Sequence, residues 1–152
     1  MVLFFSLNAT LRFLYKTFPY YKGGFDWWAL LPVQIANHAK HSPPTKRFEA
    51  LVDTGASRCI FHAAIGKAVG LAIEKGKEDQ TIGVSGKPTA IYLHDISLYI
   101  PGGHIFKITA GFSEELPMAA ILGRTGFLEH FKVLFDPSGE IPGFDIERYS
   151  VT

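Results

Sequence analysis

Residues 48–57 read Phe-Glu-Ala-Leu-Val-Asp-Thr-Gly-Ala-Ser, an apolar strand that runs directly into Asp53-Thr54-Gly55. The order sets a carboxylate, a hydroxyl and a turn-forming glycine at the end of a buried strand. A carboxylate held there acts as a general acid or base toward water. Two such carboxylates about 3 Å apart cannot both ionise and therefore share one proton. One then takes a proton from water while the other donates, and the pair titrates as a unit. The chain has one such triplet. Asp79, Asp95, Asp136 and Asp145 are not followed by Thr-Gly or Ser-Gly, and Asp136-Pro137-Ser138-Gly139 reads as a turn. The second carboxylate must therefore come from a second copy, which a two-fold axis would place opposite the first. By chance alone an Asp-Thr-Gly appears in roughly 3% of chains of this length. Taken alone, the triplet also reads as a strand-end turn whose Asp accepts backbone N–H bonds.

A second element changes that balance. Ala119-Ala120-Ile121-Leu122-Gly123-Arg124-Thr125-Gly126-Phe127-Leu128 is an apolar run closed by glycine, and Gly123 lies 70 residues after Asp53. A short helical stretch is expected after it. With both elements in place, residues 31–135 resemble the retropepsin-like aspartic proteases. The resemblance implies an all-β, closed acid-protease-like barrel with one or two short helices. It also implies an endopeptidase that acts on a polypeptide substrate as a homodimer. Asp53, Thr54 and Gly55 take the catalytic positions, with the Thr54 hydroxyl bonding across the dimer interface. Ala56 and Ser57 line the cleft floor, Ile121 and Leu122 reach a side-chain pocket, and Gly123 and Arg124 are structural. The flap of this family is assigned to Ile82–Pro88, with Val84, Ser85 and Gly86 at a mobile tip. A plain hairpin turn is the other reading of that segment. One departure stands out. Retroviral members place an Asp where this chain has Ser57, so Arg124 lacks its usual acidic partner. The alternative function is a non-catalytic module that keeps the fold for peptide binding or dimerisation.

Composition narrows the partners. The 152 residues suffice for one domain, and a net charge of +1 gives no electrostatic footprint for nucleic acid or an anionic membrane. Cys59 is the only cysteine, so neither an intrachain disulfide nor a thiolate zinc site is available. A lone thiol fits a reducing compartment, and a cytoplasmic location is expected. The histidines at 38, 41, 62, 94, 104 and 130 form no HExxH pattern and read as surface or loop residues. No metal or other cofactor is expected.

The elements that must position Asp53 follow from periodicity and breaks. Residues 1–26 are read as an N-terminal extension, with a degenerate targeting signal as the other reading, because the apolar start lacks the basic flank and cleavage site of a signal peptide. The apolar part of it, residues 1–18, is also too short and too polar to span a membrane. The catalytic domain is expected over 27–150. Strands are expected at 27–36 and 47–52, forming a hairpin that feeds the Asp. A helix is expected at 61–69 with Ser57 as its cap, ended by Gly70. A turn at 75–77 precedes strands at 79–84 and 89–100. Ile91 and Leu93 differ in parity from Ile96, Leu98 and Ile100, which suggests a bulge near His94-Asp95. Strands at 104–112, 131–135 and 144–149 complete the set.

Overall fold

A computed structural model of the chain describes residues 9–150. The first four strands are β1 (Leu11–Leu14), β2 (Lys16–Pro19), β3 (Phe25–Trp28) and β4 (Leu30–Asn37). Next come β5 (Phe48–Val52), β6 (Ile60–His62) and the helix α1 (Ala63–Ala68). A 3-10 turn over Ile73–Lys75 leads into β7 (Lys77–Ile82), β8 (Pro88–Ile100) and β9 (His104–Ser113). The last three strands are β10 (Ala120–Leu122), β11 (Phe131–Asp136) and β12 (Gly143–Arg148).

Six strands close a ring in the order β4-β5-β10-β6-β9-β8, with β8 returning to β4. Closure works because β4 divides its ladder. Its first half, Leu30 to Val33, pairs with β5, and its second half, Gln34 to Asn37, pairs with β8. The expected all-β, acid-protease-like barrel is thus present, with one α-helix and one 3-10 turn. Inside it, Phe61 and Phe112 stack with centroids 5.7 Å apart, among Leu31, Ile35, Ile96, Leu98, Leu122 and Phe127. Each such side chain contributes about 1.5–3 kcal/mol by leaving water.

Several local expectations are corrected. Phe61 is fully buried in the core and belongs to β6, so the helix begins only at Ala63. Its cap is His62, whose Nδ1 accepts the Ala64 N–H at 3.1 Å, and not Ser57. The strand expected over 27–36 is broken at Ala29, whose carbonyl accepts the Val52 N–H at 2.9 Å. The turn at 75–77 is the end of the 3-10 segment.

The bulge near His94-Asp95 is absent, since β8 and β9 pair without interruption from Tyr92–Phe112 to Ile100–His104. The parity change has another cause: β8 is buried on both faces. Ile96, Leu98 and Ile100 face the core, while Ile91 lies opposite, over Gly111. A Cβ at Gly111 would come within 2.9 Å of Ile91 Cδ1, so this glycine lets the ring seat a second apolar contact on its outer side.

β7 extends the ring sheet as the antiparallel partner of β8, and the other strands form two smaller sheets. β11, β12 and β1 pair in the order β1-β12-β11, and Arg12 bonds both Asp136 (3.0 Å) and Asp145 (3.1 Å). β2 and β3 make a hairpin whose turn holds Gly23 and Gly24 at positive φ. Phe18, Tyr21, Phe25 and Trp27 of this segment are exposed. No helix among the described residues is long and apolar enough to cross a membrane.

Candidate active site

Asp53 follows β5 and is half-buried; Thr54 and Gly55 beyond it are exposed. The β5 ladder ends here because the chain must turn, and the turn is closed from within. Asp53 Oδ1 accepts the Gly55 N–H at 2.8 Å, and the Ala56 N–H donates to the Asp53 carbonyl at 3.3 Å. The first bond fixes one carboxylate oxygen against the glycine amide. No ion pair or side-chain hydrogen bond joins Asp53 to another side chain among the described residues.

β10 supplies the floor. It runs between β5, to which it is parallel, and β6, to which it is antiparallel. The Leu122 carbonyl accepts the Asp53 N–H at 3.0 Å, so β10 holds the residue that follows the strand as well as the strand itself. The bond pattern then crosses over. The Arg124 N–H donates to the Ala56 carbonyl (2.9 Å), and the Thr125 N–H to the Ser57 carbonyl (3.0 Å). The Cys59 N–H in turn donates to the Thr125 carbonyl at 3.2 Å. Two chain segments distant in sequence are therefore bound as a single backbone unit.

Gly123 makes that approach possible. A Cβ at this position would lie 2.5 Å from the Arg58 carbonyl oxygen and 2.7 Å from that of Ala56. Both are backbone atoms and cannot rotate away. Downstream, the expected short helix is replaced by turns. Leu128 N–H reaches the Gly123 carbonyl (3.1 Å) and Glu129 N–H the Arg124 carbonyl (3.0 Å), each five residues back and hence outside α-helical register. Gly126, at φ +102, and a Glu129 carboxylate that accepts its N–H at 2.7 Å fix this shape.

The structure thus brings Asp53, Thr54, Gly55, Ala56 and Ser57 together with Ile121, Leu122, Gly123 and Arg124. Within that group the side chains differ in role. Ile121 is half-buried on the outer side of β10, whereas Leu122 is fully buried in the barrel core. Val84, Ser85 and Gly86 sit at the tip of the β7–β8 hairpin, where Val84 is wholly exposed. The Gly86 N–H donates to the Gly83 carbonyl at 2.9 Å and closes the turn. Its tie to the Asp53 loop is one that sequence reasoning missed: Arg58 bonds Asp79 of β7 at 3.2 Å. Sequence spacing alone carries no signal for that pair.

Cys59 belongs to this unit through its bond to Thr125. Burial pushes the Cys59 thiol up to about 12. Four histidines depart from the surface-or-loop expectation, since His62 caps α1, His94 Nε2 meets the Ile73 carbonyl at 2.7 Å, and His104 and His130 stack on Phe106, whereas His38 and His41 lie in the turn after β4. No group of three or more His, Cys, Asp or Glu among the described residues is arranged to hold a metal ion.

An all-β ring with a carboxylate at the end of one strand, backed by a glycine-closed strand, defines an acid-protease architecture. The chain is similar to a retropepsin-like aspartic protease from Rickettsia conorii, with a TM-score of 0.54 over 93% of this chain and 94% of that one, at 16% identity. EIAV protease, solved with the inhibitor HBY-793, aligns over 64% of this chain and 82% of its own, with a TM-score of 0.46 and 21% identity. No family model and no curated protein matches the sequence. The chain has a retropepsin-like fold.

Proposed function

We propose that the chain is an aspartic endopeptidase that hydrolyses peptide bonds as a homodimer. The observation that carries this reading is the backbone unit joining residues 53–57 to 122–125, which holds Asp53 half-exposed at the end of β5. A carboxylate meant only to close a turn has no need of so rigid a support, or of exposed Thr54 and Gly55 beside it.

In this reading the two Asp53 carboxylates of a dimer face each other across the two-fold axis and share one proton. The ionised member takes a proton from a water between them, and that water attacks the scissile carbonyl carbon. The protonated member donates to the carbonyl oxygen, giving a neutral tetrahedral diol. Collapse breaks the C–N bond as the amine nitrogen takes a proton from the pair and a diol hydroxyl returns one to it, which restores the shared-proton state. Thr54 bonds across the interface to hold both loops in register. Ala56 and Ser57 form the cleft floor, and Ile121 forms part of its wall. The β7–β8 hairpin closes over the substrate with Val84, Ser85 and Gly86 at its tip. Residues 27–150 carry the hydrolase, and Leu11–Leu14 of the segment before them pairs along β12.

Cleavage of denatured protein substrates by the purified chain, with and without a pepstatin-type inhibitor, tests the assignment. Asp53→Asn should abolish turnover while leaving the circular dichroism spectrum unchanged, and retained cleavage would refute it. Tight peptide binding without turnover by the unaltered chain would favour the non-catalytic module. Sedimentation that finds a strict monomer at high concentration would leave Asp53 without its partner.

A further inference from the structure

Arg124 stands where the aspartic-protease reading expects an ion pair, and the structure gives it none. Its backbone is fully committed to Ala56 and Glu129, but its exposed guanidinium makes no hydrogen bond or ion pair among the described residues. It lines an open cleft of about 690 Å³ together with Ser57, Arg58, Thr109, Thr125 and Glu129. The charges in this cleft are unequally matched. Arg58 is balanced by Asp79 at 3.2 Å. The Glu129 carboxylate is engaged by the Gly126 N–H at 2.7 Å and lies 3.5 Å from His130. Arg124 is the cation of this cleft without a direct ion pair among the described residues, and Glu129 is the anion that shares the cleft with it.

The hydroxyls add direction. Thr109 donates to Asp95 at 2.7 Å, but the Ser57 and Thr125 hydroxyls have no partner among the described residues. A guanidinium with two free hydroxyl donors in one cleft is suited to a carboxylate, which accepts up to four hydrogen bonds. The cleft borders the candidate site along the chain, because Ser57 belongs to the loop that starts at Asp53 and Arg124 directly follows Gly123.

We infer that Arg124, with Ser57 and Thr125, forms a subsite for an acidic side chain of the polypeptide substrate. This inference rests on the endopeptidase reading for the identity of its ligand. The absent loop carboxylate is then a functional exchange: the position that would neutralise Arg124 within the chain is a serine, and the substrate supplies the charge.

The test uses peptides with an apolar pair at the centre and Glu or Gln at each flanking position in turn. Binding is measured by fluorescence anisotropy on full-length Asp53→Asn protein, so that it does not depend on turnover. At one flanking position the Glu peptide should bind about fivefold to tenfold more tightly than its Gln twin. That is the lower end for a charge-assisted hydrogen bond, because the cleft is open to solvent. The preference should shrink at high salt and vanish in Asp53→Asn/Arg124→Gln. A twin with a free C-terminal carboxylate in place of the Glu separates a terminus-binding site from a side-chain site, and equal preference for it would overturn the assignment. So would equal binding of every Glu and Gln pair, or no binding of either. An Arg124→Gln change that weakens dimerisation without altering peptide preference would mean that the partner chain supplies the carboxylate. Cleavage of the same peptides by the Asp53 protein is read separately: a Glu preference in binding without cleavage refutes the protease and leaves the subsite standing.

Discussion

Replacing Gly123 by alanine asks whether the backbone unit under Asp53 is as tight as its geometry indicates. Gly123 is buried and does not have a positive φ, so alanine is not excluded by its backbone conformation. The whole effect is therefore steric. The new methyl would meet two carbonyl oxygens at 2.5 and 2.7 Å, inside the 3.0 Å below which Cβ contacts essentially do not occur. Relief requires β10 and the 56–58 loop to separate by about half an ångström, an overpacking cost of about 1–3 kcal/mol. That separation strains the Arg124–Ala56 and Thr125–Ser57 bonds, now 2.9 and 3.0 Å, at about 1 kcal/mol more. A total of about 2–4 kcal/mol lowers Tm by roughly 5–15 °C in a chain of this size. Gly83→Ala is the control, since a Cβ there meets nothing within 4 Å and its φ is likewise not positive. It should leave Tm unchanged or raise it slightly, through lost freedom in the unfolded chain. Thermal melts followed by circular dichroism read both variants, and peptide cleavage reads the site. If Gly123→Ala melts within about 2 °C of the unaltered chain and cleaves normally, the tight crossing of the two segments is wrong.

Other outcomes follow from the same structure. The Cys59 thiol, buried and raised to about 12, should resist alkylation at pH 8 in the folded protein and react at once after unfolding in denaturant; rapid labelling of the native chain would contradict its burial. His104 is held below the usual imidazole range, first by desolvation and then by the charge of Arg148. The unfolded chain therefore binds the proton more readily, so this contribution is fully present above an unfolded pKa of about 6.5 and is lost as pH falls through the lowered folded value. Denaturant unfolding between pH 7 and 5 should show the decline, and His104→Gln should flatten it. Truncating Phe61 to alanine should cost about 3–5 kcal/mol, because the ring is fully buried and stacked on Phe112, and a shift in the denaturation midpoint measures it.

The site was more legible in the sequence than the elements around it. Asp53 and Gly123 announce themselves because a carboxylate and a glycine at the ends of apolar runs have few other uses. The barrel follows from many short alternating strands. What sequence missed depends on contacts between distant segments. Ser57 is a good helix cap in isolation, yet the core takes Phe61 into β6 and leaves His62 to begin the helix. The parity change in β8 looks like a bulge until Gly111 is seen to make room for Ile91 on the opposite face. The turns after Gly123 look helical in sequence, but Gly126 at positive φ and the Glu129 carboxylate impose a different path. The Arg58–Asp79 bond joins a loop to a hairpin that no local pattern connects.

The place of β10 has a consequence for how the protein comes into being. β5 and β6 are both made early in synthesis, but the strand between them is made late. The Asp53 N–H has no acceptor until Leu122 exists, and the Ser57 carbonyl no donor until Thr125 does. Domains emerge from the ribosome N-terminus first, and contacts of high sequence separation form last. A nascent chain that has exposed its Asp-Thr-Gly triplet therefore still lacks the floor that positions it. On the endopeptidase reading, the candidate centre is completed only when most of the polypeptide is free, which would protect neighbouring nascent proteins from a half-made enzyme. Chains released before residue 125 should be inert for the same reason.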